Sequence, residues 1–454
     1  MTKRAPRSAA SEFWWGTATS AYQIEGATSV NGRGPSTWDT FCAEPGRIAD
    51  GSTGEVSCDH YRRYAEDVAL MGELGVNAYR FSIAWPRVLP TGVGPVNDAG
   101  LDFYDRLVDA LLAAGVTPVP TLFHWDTPQP LEDAGGWLGR DIAHRFADYV
   151  DVVAARLADR VHDWITINEP RELTMLGYAL GVHAPGRTAM FDALPAAHHL
   201  LLGHGLAADA LHAAGVATVG VAASHAPVWP ASDEPADTDA AALFDLLDNW
   251  LFADALVRGS YPEDLLPLLP PGATDDLPSI GGRLDWYGVN YYNPIRVGAA
   301  VAGADQVDGI TLPEGLPFSA DITGVPMTDF GWPVVPEGLT QMLRLLVERY
   351  GDDLPPLVIT ENGCSYADGP GPDGRVHDVR RIDYLRDHLG ALDAAVSAGV
   401  DVRGYFCWSL LDNFEWAEGY RQRFGLVHVD FATGTRTPKD SFGWYAEHIR
   451  AARG

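Results

Sequence analysis

Short apolar, β-branched runs alternate with longer amphipathic stretches along nearly the whole chain. A strand buried on both faces reads as a continuous apolar run, so this alternation predicts repeated βαβ units and a parallel sheet. Eight strands are predicted: Trp14 to Thr19, Ala78 to Ile83, Val116 to His124, Trp164 to Glu169, Thr218 to Ser224, Trp286 to Tyr292, Pro356 to Glu361 and Arg403 to Ser409. Eight suggests closure into a (β/α)8 barrel. The stretch after Asp59 shows helical spacing, with Tyr61, Tyr64, Val68, Met71 and Leu74 on one stripe and Gly75 as the stop.

A plain barrel takes about 250 residues, and this chain has 454. The excess is expected in the termini and in long βα loops, chiefly after strands one, six and seven. Gly298 to Phe330 and Ala367 to Asp378 are rich in Gly, Pro and Asp and read as irregular surface loops. No internal repeat or linker divides the chain. The expected fold class is α/β, a single (β/α)8 TIM barrel over residues 11–454 behind a flexible tail at 1–10.

Charge narrows the partners. Asp plus Glu number 61 against 32 Lys plus Arg, for a net charge of -29. That balance disfavours nucleic acid, anionic lipid and polyanionic substrates and favours a neutral ligand. Lys3 and Lys439 are the only lysines, neither at a predicted strand end, which argues against Schiff-base, pyridoxal and P-loop chemistry. Cys42, Cys58, Cys364 and Cys407 lack zinc-type spacing and read as free thiols in a reducing compartment. No apolar run reaches the roughly 20 residues of a membrane span, and Met1 to Ala10 lacks an apolar signal segment. A cytoplasmic location is expected.

The predicted strand ends gather Gln23, Arg80, His124, Trp125, Asn168, Glu169, Asn290, Tyr292, Glu361, Trp408, Glu415 and Trp416. In a barrel the carboxyl ends of the strands share one face, so these residues can converge. Gln, His, Asn and Glu bond directionally to hydroxyls, and tryptophan faces cover the apolar face of a pyranose. Two glutamates at strand ends, in Asn168-Glu169-Pro170 and Thr360-Glu361-Asn362-Gly363, are the equipment for cleaving a glycosidic bond. Blander readings fit other features. His198, His199 and His204 lie in a helical stretch without the i, i+4 spacing of a zinc helix and read as packing residues. Trp14, Trp15 and Trp85 read as core, Cys364 and Cys407 as small buried apolar groups, and Asp233 to Asp239 as a solvated loop.

From Phe13 to about Tyr445 the chain resembles glycoside hydrolase family 1, the β-glucosidase family. The likeness is carried by Phe13-Trp14-Trp15-Gly16 through Gly26, Tyr79 through Arg87, Phe123 through Pro128, Asn168-Glu169-Pro170, Gly288 through Tyr292, Thr360 through Gly363 and Trp408 through Trp416. The resemblance implies a retaining exo-β-glycosidase acting on neutral β-D-glucosides, and on β-fucosides or β-galactosides as further substrates. It makes Glu169 the acid/base and Glu361 the nucleophile, with carboxyl groups about 5 to 5.5 Å apart. Arg80 and Tyr292 would keep Glu361 ionised, and burial would keep Glu169 protonated. Gln23, His124, Asn168, Glu415 and Trp416 would hold sugar hydroxyls over a Trp408 floor. Trp125 and Asn290 would stand beside them, and Trp332 would be a platform for the leaving group. A carboxylate at Glu415 would repel a 6-phosphate.

Two positions depart from the family pattern near the leaving-group side: Arg171, followed by Glu172, and Ser224. The partner implied is a small β-glycoside or oligosaccharide, with no cofactor and no metal. A transglycosylase using the same intermediate and a non-catalytic sugar-binding barrel are the alternatives. The natural aglycone, the ranking of glucose, fucose and galactose, and the oligomeric state stay open.

Overall fold

The computed structural model describes residues 12–303, 306–307, 310–311 and 314–453; the tail expected at 1–10 lies outside them. Eight parallel strands close into a barrel: β1 (Trp14–Ala18), β2 (Ala78–Ser82), β3 (Thr117–Phe123), β4 (Asp163–Asn168), β5 (Thr218–Ser224), β6 (Trp286–Asn290), β7 (Leu357–Asn362) and β8 (Val402–Trp408). Each strand pairs with its sequence neighbours, and β1 with β8 completes the ring. A helix follows each strand, for example His60–Leu74 after β1 and Leu194–Ala213 after β4. Tyr61, Val68, Met71 and Leu74 of the first bury their stripe against the sheet, and Gly75 ends it at φ 78°, a conformation costly for residues with a Cβ.

Apolar side chains fill the molecule in two places. The larger cluster lies between sheet and helices and includes Trp15 and Trp85. The smaller fills the barrel interior with Trp14, Ala78, Val119, Ile165, Trp286, Val358 and Phe406. The large rings fit because glycines face them. A Cβ on Gly16 would stand 2.3 Å from the Phe406 ring, and one on Gly220 would stand 2.5 Å from that of Trp286.

Three loop expectations are corrected. The segment after β6 is not wholly irregular: Ile295–Ala299 pairs with Pro317–Ala320 and with Val228–Pro230 in a three-stranded sheet. Its Gly/Pro-rich composition hid these short edge pairings. Nor is Asp233 to Asp239 a plain loop, because helix Pro235–Asp245 starts within it. Asp237 lies in the first helical turn and accepts from Ser232 Oγ and the Ala299 amide. Acids there offset the helix dipole, so an acidic run can start a helix as well as solvate a loop. The stretch after β4, with short helices at Pro170–Glu172 and Leu173–Ala179, is longer than that after β7. Among the described residues no helix is long and apolar enough to cross a membrane.

Candidate active site

The strand order carries the predicted residues to one end of the barrel. Arg80 lies within β2, and Asn168 and Asn290 end β4 and β6. Glu361 lies in β7, Trp408 ends β8, and His124 and Trp125 follow β3. The two glutamate strands both break register just before their glutamates. β4 shifts against β5 between Ile165 and Asn168, and β7 shifts against β6 between Ile359 and Glu361. Such irregularities re-aim side chains at strand ends. Glu169 itself, at φ 43°, and Trp125 and Trp416, at φ 70° and 48°, hold left-handed conformations, a strain the surrounding packing must sustain.

These residues enclose a cavity of about 500 Å³. His124, Trp125, Glu169, Asn290, Tyr292, Trp332, Glu361, Trp408, Glu415 and Trp416 line it. Arg80, Asn168 and Gln23 lie fully buried behind that lining and reach it through hydrogen bonds. Glu361 is only 3% exposed. Its Oε1 accepts from Arg80 Nη1 at 2.5 Å, and its Oε2 accepts from the Tyr292 hydroxyl at 2.6 Å. The Tyr292 phenol is held well above its ordinary pKa by burial and by the Glu361 carboxylate, so it stays a donor.

Arg80 also sets Asn168. Its Nη2 donates to Asn168 Oδ1 at 2.5 Å, and Asn290 Nδ2 donates to the same oxygen at 3.1 Å. With the oxygen so fixed, Asn168 Nδ2 faces His124 Nε2 at 3.1 Å and Glu169 Oε2 at 3.2 Å. Asn290 Nδ2 also reaches Glu169 Oε1 at 2.8 Å. Despite these donors, the Glu169 pKa is well above the usual carboxylate range. Burial is the main cause, followed by the charges of Glu361 and Glu172. One buried carboxyl thus keeps its proton beside another that meets a guanidinium and a phenol.

Farther round, Gln23 Nε2 donates to Glu415 Oε2 at 3.2 Å. Burial and the charges of Glu361 and Glu418 push Glu415 up to about 8. Lys439, one of two lysines, is no phosphate ligand: it is buried 2.8 Å from Asp412 Oδ1. Trp125 and Trp416 pack at 4.7 Å between centroids, and Trp332 stacks on Phe330 at 4.3 Å. Trp332, Asn293 and Ile295 also line an adjoining cavity of about 680 Å³.

Some lining residues were not singled out from the sequence. His183 and Asp248 line the cavity; the Gly181-Val182-His183-Ala184-Pro185-Gly186 turn is a local signal for the first. Asp248 lies in a helical segment, Leu246–Trp250, where an acid ordinarily faces water, so nothing local marks it. Of the histidines read as packing, His204 Nδ1 bonds Thr166 Oγ1 at 2.7 Å and His199 Nδ1 bonds the Trp137 carbonyl at 2.8 Å. The four cysteines are unpaired, and burial pushes Cys364 up to about 12, which leaves it an unreactive thiol. Among the described residues no cluster of three or more His, Cys, Asp or Glu is placed to hold a metal ion.

The profile of glycosyl hydrolase family 1 matches residues 6–453. A β-glucosidase of Agrobacterium sp. is 46% identical over 440 residues, covering 96% of this chain and 94% of its own. A bifunctional β-D-glucosidase/β-D-fucosidase of Bifidobacterium breve is 44% identical, covering 96% of this chain and 97% of its own. The solved family 1 β-glucosidase of Thermotoga maritima in complex with isofagomine lactam superposes with a TM-score of 0.91 at 41% identity, covering 98% of this chain and 99% of that one. The chain belongs to glycosyl hydrolase family 1, the family of these β-glucosidases.

Proposed function

We propose that the chain is a retaining exo-β-glycosidase that hydrolyses neutral β-D-glucosides. The observation that carries this reading is the unequal pair in one cavity. Glu169 is buried and proton-retaining, while Glu361 accepts from Arg80 and Tyr292. Those two donors hold the Glu361 carboxyl group in place for attack as the nucleophile. Its carboxylate attacks the anomeric carbon as the Glu169 proton passes to the departing oxygen. The glycosidic bond breaks, and a covalent glycosyl-enzyme forms on Glu361. Ester formation removes a negative charge beside Glu169, whose pKa then falls. Glu169 takes a proton from water as that water displaces Glu361 from the sugar. No cofactor enters this sequence.

Residues on the other side of the cavity suit the sugar. Trp408 offers an apolar face, and Glu415, with Gln23 behind it, faces the sugar hydroxyls. Asn168 Nδ2 gives up its bond to Glu169 to hold a 2-hydroxyl, where hydrogen bonds strengthen in the transition state. The adjoining cavity past Trp332 leaves room for a leaving group larger than one sugar. The likeness to a glucosidase/fucosidase supports β-fucosides as further substrates.

Turnover of para-nitrophenyl β-glucoside, β-galactoside, β-fucoside, β-xyloside and β-glucoside 6-phosphate, beside Glu361→Ala, tests the reading. Release from the neutral glycosides is expected, falling by roughly four orders of magnitude or more in the variant. Silence on every neutral member, or full activity in Glu361→Ala, would sink it.

A further inference from the structure

Arg171 and Glu172 stand just past Glu169, after Pro170, on the short helix Pro170–Glu172. Glu169 must face the departing oxygen, so its neighbours lining the same cavity border the leaving group. Arg171, Glu172, Ser224 and Asp248 all line that cavity. Arg171 Nη1 donates to Glu172 Oε1 at 2.6 Å, and its Nη2 pairs with Asp248. Ser224 Oγ donates to the same Glu172 oxygen at 3.1 Å. Among the described residues no protein donor takes Glu172 Oε2, so an acceptor is left for a ligand hydroxyl. The side chains of Arg171, Glu172 and Asp248 are 17%, 16% and 5% exposed, so solvent screens them weakly.

Two carboxylates share one guanidinium, which leaves the group with an excess negative charge. Nearby histidines do not cancel it. Burial pushes both His183 and His225 down to about 4, so they are neutral. Burial raises Asp248 to about 6, and it is ionised above neutral pH.

We propose that Arg171, Glu172 and Asp248 form a specificity-determining wall that admits neutral, hydroxylated leaving groups, such as a second sugar, and turns away anionic ones. The proposal rests on the hydrolase reading above. Like charges juxtaposed in a weakly screened site cost enough to set specificity, and Glu172 Oε2 can accept from a hydroxyl or amide N–H, a hydrogen that a carboxylate substituent does not carry.

The test compares kcat/KM for 4-carbamoylphenyl and 4-carboxyphenyl β-glucoside at pH 7.5. The pair is nearly isosteric and differs in charge, so effects acting through Glu169 largely cancel in the ratio. The wild-type chain should favour the amide by about tenfold. Glu172→Gln and Asp248→Asn should each lower that preference severalfold, Arg171→Gln should raise it, and Arg171→Lys, which keeps the charge, should preserve it. A wild-type ratio near one, or Gln substitutions at 171 and 172 that fail to move it in opposite directions, would overturn the wall while leaving the hydrolase reading intact. No turnover of either glucoside would remove that reading, and the wall with it.

Discussion

Glu169 and Glu361 are the same residue type at the carboxyl ends of β4 and β7, which β5 and β6 separate in the barrel, and their surroundings divide the labour. Glu361 meets a guanidinium and a phenol, whereas Glu169 meets amides and two nearby carboxylates. Because the Glu169 pKa is raised, the acid is competent below it, and kcat/KM falls as pH rises through it. Glu169→Gln should flatten this alkaline limb on an activated aryl glucoside. On an alkyl glucoside, whose leaving group needs the proton, it should cost about 10²–10⁴-fold. An alkaline limb unchanged in Glu169→Gln would assign the titration elsewhere. The glutamates were legible in sequence because each ends an apolar strand-like run. Arg171 was visible only as a departure, and its partner Asp248 was not visible at all, because the ion pair joins segments far apart in sequence.

At the scale of elements, the strands were readable and the loops were not. Strands covered on both faces must be apolar throughout, and all eight lie within a residue or two of their expected places. The connections follow local pairings that composition does not reveal, such as the edge sheet after β6. Close approaches between elements are equally hidden. A Cβ on Gly363, just past β7, would stand 1.7 Å from the carbonyl oxygen of Trp408, at the end of β8. Gly363→Ala therefore pushes on the backbone that presents Trp408 to the cavity. Overpacking of this kind costs about 1–3 kcal/mol. Differential scanning should show a lower Tm, and kcat/KM for an aryl β-glucoside should fall; wild-type values for both would contradict the geometry.

For the whole molecule, closure of the barrel makes residues from Gln23 to Trp416 into one site, and a buried network behind it holds the last strand's loop. Asp412 Oδ1 accepts from Lys439 Nζ at 2.8 Å and from the Gly425 amide at 3.0 Å, while Oδ2 accepts from Arg423 Nη1 at 2.7 Å. Burial alone would raise the Asp412 pKa, but the Lys439 and Arg423 charges outweigh it and lower the value. Its contribution to stability is therefore full above the ordinary carboxylate range and is lost as pH falls through the depressed folded value. Asp412→Ala should strand Lys439 and cost about 3–5 kcal/mol, read as a Tm lower by several degrees; an unchanged Tm would exclude this role. The assigned roles of both glutamates turn on the double displacement. Proton NMR of a β-glucoside during hydrolysis reports the first-formed anomer of the released sugar. The β-anomer should appear first and then mutarotate, as a glycosyl-enzyme on Glu361 requires. First appearance of the α-anomer would mean direct attack by water and would contradict the assigned role of Glu361.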